Sequence, residues 1–143
     1  MTEYSAIIFQ RSMNEKMIEK GLKGTAKVLT DNTNSAKSMG SGSLDVFATP
    51  ALVALMEKSA VNALEKYLDE GTTTVGTLIS IEHIAATPLN AEVTAVAEVT
   101  DVNGREITFS VTASDNAGVV GRGTHKRFIV YSEKFMSKAN SRI

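Results

Sequence analysis

Between residues 91 and 114 the chain alternates with a period of two. Ala91, Val93, Ala95, Ala97 and Val99 interleave with Glu92, Thr94, Val96, Glu98 and Thr100, and Ile107, Phe109, Val111 and Ala113 with Thr108, Ser110, Thr112 and Ser114. Such alternation marks strands with one covered face. Asn103-Gly104 between the two runs predicts a hairpin with a type I′ turn. Asp115-Asn116-Ala117-Gly118 predicts another turn, after which Val119 to Tyr131 returns as the last strand. Upstream, Val75 to Ala85 places Ile79, Ile81, His83 and Ala85 on one face and Leu78, Ser80, Glu82 and Ile84 on the other, and Thr87-Pro88 ends it. Lys23 to Thr30 alternates more weakly and predicts a short first strand.

The period changes to 3.6 over residues 49–71. Leu52, Leu55, Met56, Ala60, Ala63, Leu64 and Tyr67 fall at helical spacing. Thr49 suits the N-cap, Pro50 the first helical position and Gly71 the stop. From Ala51 to Leu64 the only strongly polar residues are Glu57, Lys58, Ser59 and Asn62. That stretch is too apolar for a helix with one face in water, so it is expected to be mostly buried. Residues 31–45, with Gly and Ser alternating from Gly40 to Ser43, predict a long loop. Ser132 to Ile143 is polar and expected to fray, with Phe135 able to dock.

The order is therefore strand, loop, long helix, then a meander of four strands. An antiparallel sheet with one face to cover and one apolar helix to cover it make an α+β hotdog fold, a curved sheet wrapped around a central helix. One copy leaves a sheet edge and a helix flank open, which predicts a dimer with a continuous sheet. Residues 1–20 are read as an N-terminal extension, with a strand-like Ser5 to Phe9 and a helical turn within Arg11 to Lys20. Residues 21–143 form the domain.

Composition narrows the chemistry. The 143 residues include no Cys and only two His, which excludes a thiolate nucleophile or a Cys-ligated metal. No resident cofactor or metal is expected. A net charge of −1 argues against a nucleic-acid partner. No apolar stretch reaches the ~20 residues of a membrane span, and the N-terminus does not read as a signal peptide. The expectation is a soluble, cytoplasmic protein.

Three residues could carry chemistry, each with a plainer alternative. Glu57 has only Val53, Ala54, Ala60 and Val61 one turn away, so no helical neighbour pairs with it. It must be neutralised, hydrogen-bonded or used, unless it reaches solvent beside Lys58. His83 shares its strand face with apolar residues, where a satisfied structural histidine is the commoner case. His125 raises the same question on the last strand. Thr49 is explained as a cap, yet a helix start also favours a developing oxyanion. Gly76, Gly121 and Gly123 mark bulges or places where a ligand or backbone approaches closely.

The arrangement is more specific than its parts. Val46-Phe47-Ala48-Thr49-Pro50, Leu55-Met56-Glu57, Val75-Gly76-Thr77, His83-Ile84-Ala85-Ala86-Thr87-Pro88 and Gly123-Thr124-His125-Lys126-Arg127 follow one another in order. From about Gly21 to Phe135 this pattern resembles the fluoroacetyl-CoA thioesterase family of hotdog proteins. The resemblance implies an acyl-CoA thioester hydrolase acting as a homodimer, or a dimer of dimers, with sites at or near the subunit interface. It implies Thr49, Glu57 and His83 as the catalytic set, and Gly76, Arg127 and Phe47 as substrate-binding residues. Arg122 and Lys126, with Arg127, are candidates for the CoA phosphates, or else a solvated basic strand end. The family's fluoroacetyl-specific type carries a phenylalanine-bearing lid before the helix. No Phe occurs here between Phe9 and Phe47, so a different, short-chain acyl preference is expected. Two other readings stand beside hydrolysis: a hydratase or dehydratase on the same fold, and a non-catalytic acyl-CoA binding or sensing module.

Overall fold

The computed structural model describes residues 17–143. Residues 1–16, with the expected strand-like Ser5 to Phe9, lie outside them; of the expected helical turn within Arg11 to Lys20, the described part, residues 17–20, is not helical. The domain opens with β1 (Lys23–Leu29). A short α1 (Ala36–Met39) then precedes the long α2 (Thr49–Leu64), which ends in a 3-10 turn at Glu65–Tyr67. Then follow β2 (Thr72–His83), β3 (Glu92–Asn103), β4 (Glu106–Asp115), β5 (Gly118–Tyr131) and α3 (Ser132–Asn140).

The five strands form one antiparallel sheet in the order β1-β3-β4-β5-β2. The expected four-strand meander holds only for β3, β4 and β5. β2 instead lies at the far edge beside β5, because residues 84–91 make no hairpin turn. That segment crosses the end of the sheet and is tied there by its own polar groups. Phe47 N–H donates to Thr87 O (2.9 Å), and the Thr30 hydroxyl donates to Pro88 O (2.7 Å). The Thr87 hydroxyl reaches the Asp115 carboxylate at 2.7 Å.

The covered face is the one the alternation marks. Val93, Ala95, Ala97 and Val99 on β3, and Ile107, Phe109, Val111 and Ala113 on β4, are buried against Leu52, Leu55, Met56, Ala60, Ala63 and Leu64 of α2. Small residues let the helix lie close. A Cβ on Gly24 of β1 would run into the backbone of Ser59 and Ala63. Within this chain α2 is less enclosed than its composition suggests: Ala54 and Lys58 are exposed, and Ala51, Val53 and Val61 half-buried.

Four local expectations change. The N-cap of α2 is Ala48, without a side-chain cap, so Thr49 is the first helical residue and Pro50 the second. The β3–β4 turn has positive φ at Gly104 but not at Arg105, the type II′ pattern, since type I′ needs both. The loop before α2 holds a helical turn, α1, because Ser35 caps it and Gly40 closes it in the left-handed region. The C-terminal segment is helical, yet it buries none of its residues and leaves Phe135 exposed.

Candidate active site

The site follows from how β2 is paired. Gly76 lies opposite Arg127 and Leu78 opposite Lys126, so Thr77 is an extra residue and β2 carries a bulge there. A bulge shifts the side-chain alternation by one. Thr74 and Gly76 before it, and Ile79, Ile81 and His83 after it, therefore all face the helix. On β5 the matching positions are Arg127, His125, Gly123 and Gly121. Two polar clusters result, one at the start of α2 and one halfway along it.

At the helix start, Thr49 Oγ1 lies 2.7 Å from His83 Nδ1. Because Ala48 is the cap, the Thr49 hydroxyl is free to make this contact. His83 Nε2 is buried and has no hydrogen-bond partner among the described residues. Burial lowers the His83 pKa, which favours the neutral ring. The amides of the first helical turn have no intrahelical partner, and the helix dipole is positive there. A cavity of about 290 Å³ opens at this point, lined by Ala36, Ser41, Phe47, Thr49, His83 and Ala85 among others.

Halfway along α2, the Glu57 carboxylate meets Arg127. Nη1 of Arg127 donates to Glu57 Oε2 at 3.2 Å. The expectation of an unpaired carboxylate thus holds only for its own helix; the partner comes from β5, 70 residues away in sequence. Glu57 also reaches solvent, with 40% of its side chain exposed. Arg127 is buried and donates from Nε to the Thr74 hydroxyl (2.8 Å) and from Nη2 to the Thr74 carbonyl (2.9 Å). A Cβ on Gly76 would come within 2.7 Å of Glu57 Oε2, so glycine makes room for the pair. A second cavity, of about 270 Å³, is lined by Glu57, Gly76, Thr77, Leu78, Ile79 and His125.

Thr49 and His83 are therefore brought together, whereas Glu57 pairs with Arg127 and with neither of them. Eight residues separate Thr49 from Glu57, about 12 Å along a helix axis. Phe47 is buried core and edges the first cavity. Lys126 pairs with Glu106 at 3.7 Å, which accounts for it without a ligand. Among the described residues no three His, Asp or Glu side chains converge on a metal-sized site, and no helix is long and apolar enough to cross a membrane.

Residues 29–133 match the profile of the family described as fluoroacetyl-CoA-specific thioesterase. The chain belongs to that family. The fluoroacetyl-CoA thioesterase of Streptantibioticus cattleyicolor is 41% identical over 98 residues, 68% of this chain and 70% of the relative. A crystal structure of a point mutant of a fluoroacetyl-CoA-specific thioesterase superposes with a TM-score of 0.85 at 31% identity, covering 90% of this chain and 100% of that one. A hot-dog-like protein from Thermanaerovibrio acidaminovorans shares the fold, with a TM-score of 0.80 at 22% identity over 88% of this chain and 93% of its own. The family thus has the hotdog fold expected from the alternation and the central helix. Within its frame, the members of the site that sequence reasoning missed are Thr74 and the contacts of His125. The one signal for them was Gly76 beside a β-branched run.

Proposed function

We propose that the protein hydrolyses short-chain acyl-CoA thioesters to a carboxylic acid and free CoA. The observation that carries this reading is the 2.7 Å contact between Thr49 and His83 at an uncapped helix start, in a chain of the thioesterase family. Thr49 and the first-turn amides position the thioester carbonyl and stabilise its oxyanion. Glu57, oriented through Oε2 by Arg127, uses its other oxygen as base or nucleophile. In direct attack, water adds to the carbonyl carbon as Glu57 takes its proton; the C–S bond then breaks, and the proton passes by way of His83 to the departing thiolate. In the covalent route Glu57 itself adds, expels the thiolate and forms an anhydride that water opens.

The absence of any Phe between Phe9 and Phe47, with Ala36 and Ser41 on the cavity wall, favours acyl groups other than fluoroacetyl. The reading includes a homodimer. β2 is an edge strand, with Leu78 and the adjoining Ile84 exposed. Antiparallel pairing of two β2 edges about a two-fold axis would carry the His83 end of one copy towards the Gly76 end of the other. Each complete site then joins the Thr49–His83 pair of one chain to the Glu57 of the second. A panel of short acyl-CoAs assayed for free thiol tests the reaction: release is expected from short chains. Tight binding of acyl-CoA without release would replace hydrolysis by the binding-module reading. Single turnover in ¹⁸O-water identifies a covalent route whose anhydride is opened at the Glu57 carbonyl, since label then enters the Glu57 carboxylate, whereas direct attack leaves it unlabelled.

A further inference from the structure

His125 is the second of only two histidines, and the reaction proposed above leaves it without a role. It is 1% exposed and stacks on Phe109, with ring centroids 6.1 Å apart. Both ring nitrogens are engaged. Nδ1 lies 2.7 Å from the Leu78 carbonyl, and Nε2 lies 3.2 Å from Arg127 Nη1. A carbonyl only accepts, so Nδ1 carries the hydrogen; a guanidinium only donates, so Nε2 is the acceptor. The two contacts together admit one form of the ring, the neutral Nδ1–H tautomer.

We propose that His125 is a positioning residue which, in this tautomer, fixes Arg127 against Glu57 and fastens the β2 bulge that brings Gly76 beside them. Arg127 Nη1 is shared between Glu57 Oε2 and His125 Nε2, each at 3.2 Å. The acceptor on His125 therefore determines where that nitrogen sits and, through it, how the carboxylate is presented. Leu78, which accepts from Nδ1, is the first paired residue after the bulge at Thr77. One side chain thus ties the bulge, the arginine and the carboxylate together. Protonation at Nε2 would remove the acceptor and set two cations against each other. The charged groups facing the ring are Arg127 from β5 and Glu57 from α2; its β2 and β4 register neighbours, Ile79 and Phe109, are apolar. Burial, the largest influence, lowers the His125 pKa; the Leu78 carbonyl and Glu57 oppose this, while Arg127 adds to it.

This role rests on Glu57 acting in hydrolysis, but the tautomer does not, and the two are tested separately. In the ¹⁵N-labelled wild-type protein, long-range ¹H–¹⁵N spectra are expected to show His125 Nδ1 protonated and Nε2 unprotonated at pH 7, persisting below pH 6.5. The opposite tautomer, or titration at the ordinary histidine value, would overturn the proposal even if the protein hydrolyses thioesters. If it hydrolyses none, the NMR result still stands and only the proposed reaction fails. For activity, His125→Gln keeps an acceptor for Arg127, whereas His125→Phe keeps the stack on Phe109 without one. The Phe variant is expected to lose about a hundredfold in kcat with little change in KM, the scale of a small misplacement of a reacting group, and the Gln variant at most about tenfold. Equal activity of the two folded variants would contradict the positioning role.

Discussion

Arg127 spends its guanidinium inside the protein, on Thr74, Glu57 and His125. A basic residue near a CoA ligand is expected to face phosphates, yet this one holds a carboxylate. No reading of helix spacing could find that pair, because its members are joined only by the folding of β5 over α2. Thr49 is the reverse case. Its place before an apolar helix was plain in the sequence, but the shift of the cap to Ala48 is what frees its hydroxyl for His83. Thr49→Ala is expected to lower kcat by roughly 10²–10³, as for loss of one oxyanion donor, measured by steady-state thiol release. Both histidines have pKa values lowered by burial. The unfolded chain therefore binds more protons than the folded one just below pH 6.5. Their contribution to stability is full above that pH and is lost as pH falls through the folded values. Urea midpoints measured from pH 8 to 5 should fall on the acid side, and less steeply in His125→Gln.

At the scale of elements, the bulge at Thr77 decides which residues meet. Strict alternation along β2 would have turned Thr74 and Gly76 away from the face that carries Ile79, Ile81 and His83. The period of two was legible on β3 and β4, which carry the core, and β2 departs from it where the site is built. Its glycine was the visible trace of that departure. Gly76→Ala brings a methyl within 2.7 Å of Glu57 Oε2, the end of a flexible side chain. The carboxylate is then displaced, and the variant is expected to fold normally while losing activity. Gly24→Ala meets backbone of α2 instead, at Ser59 and Ala63. It should cost about 1–3 kcal/mol of stability, the range of overpacked cores, in a chemical melt. The contrast separates a glycine that serves the site from one that serves the packing.

For the whole molecule, the hotdog architecture follows from one apolar helix and strands that can cover it, and that much could be read directly. Strand order could not: the crossing from β2 to β3 is fixed by hydrogen bonds from Thr30, Phe47 and Thr87 to groups far away in sequence. The proposed two-fold dimer with composite sites would pair the open β2 edge and bring Glu57 to a Thr49 that is about 12 Å away along its own helix. Mixing inactive Thr49→Ala and Glu57→Gln chains by unfolding and refolding should then restore about a quarter of wild-type activity, since half the dimers are mixed and each carries one intact site. No recovery in demonstrably mixed dimers would assign each site to a single chain. Whether Glu57 drives thioester hydrolysis is decided by kcat/KM for CoA release from acetyl-CoA, with wild type beside Glu57→Gln. Glutamine keeps an acceptor for Arg127 and removes only the base or nucleophile. Hydrolysis by the wild type with a loss of at least about 10²-fold in the variant is the expected result. Undiminished release by Glu57→Gln would exclude Glu57 as base or nucleophile.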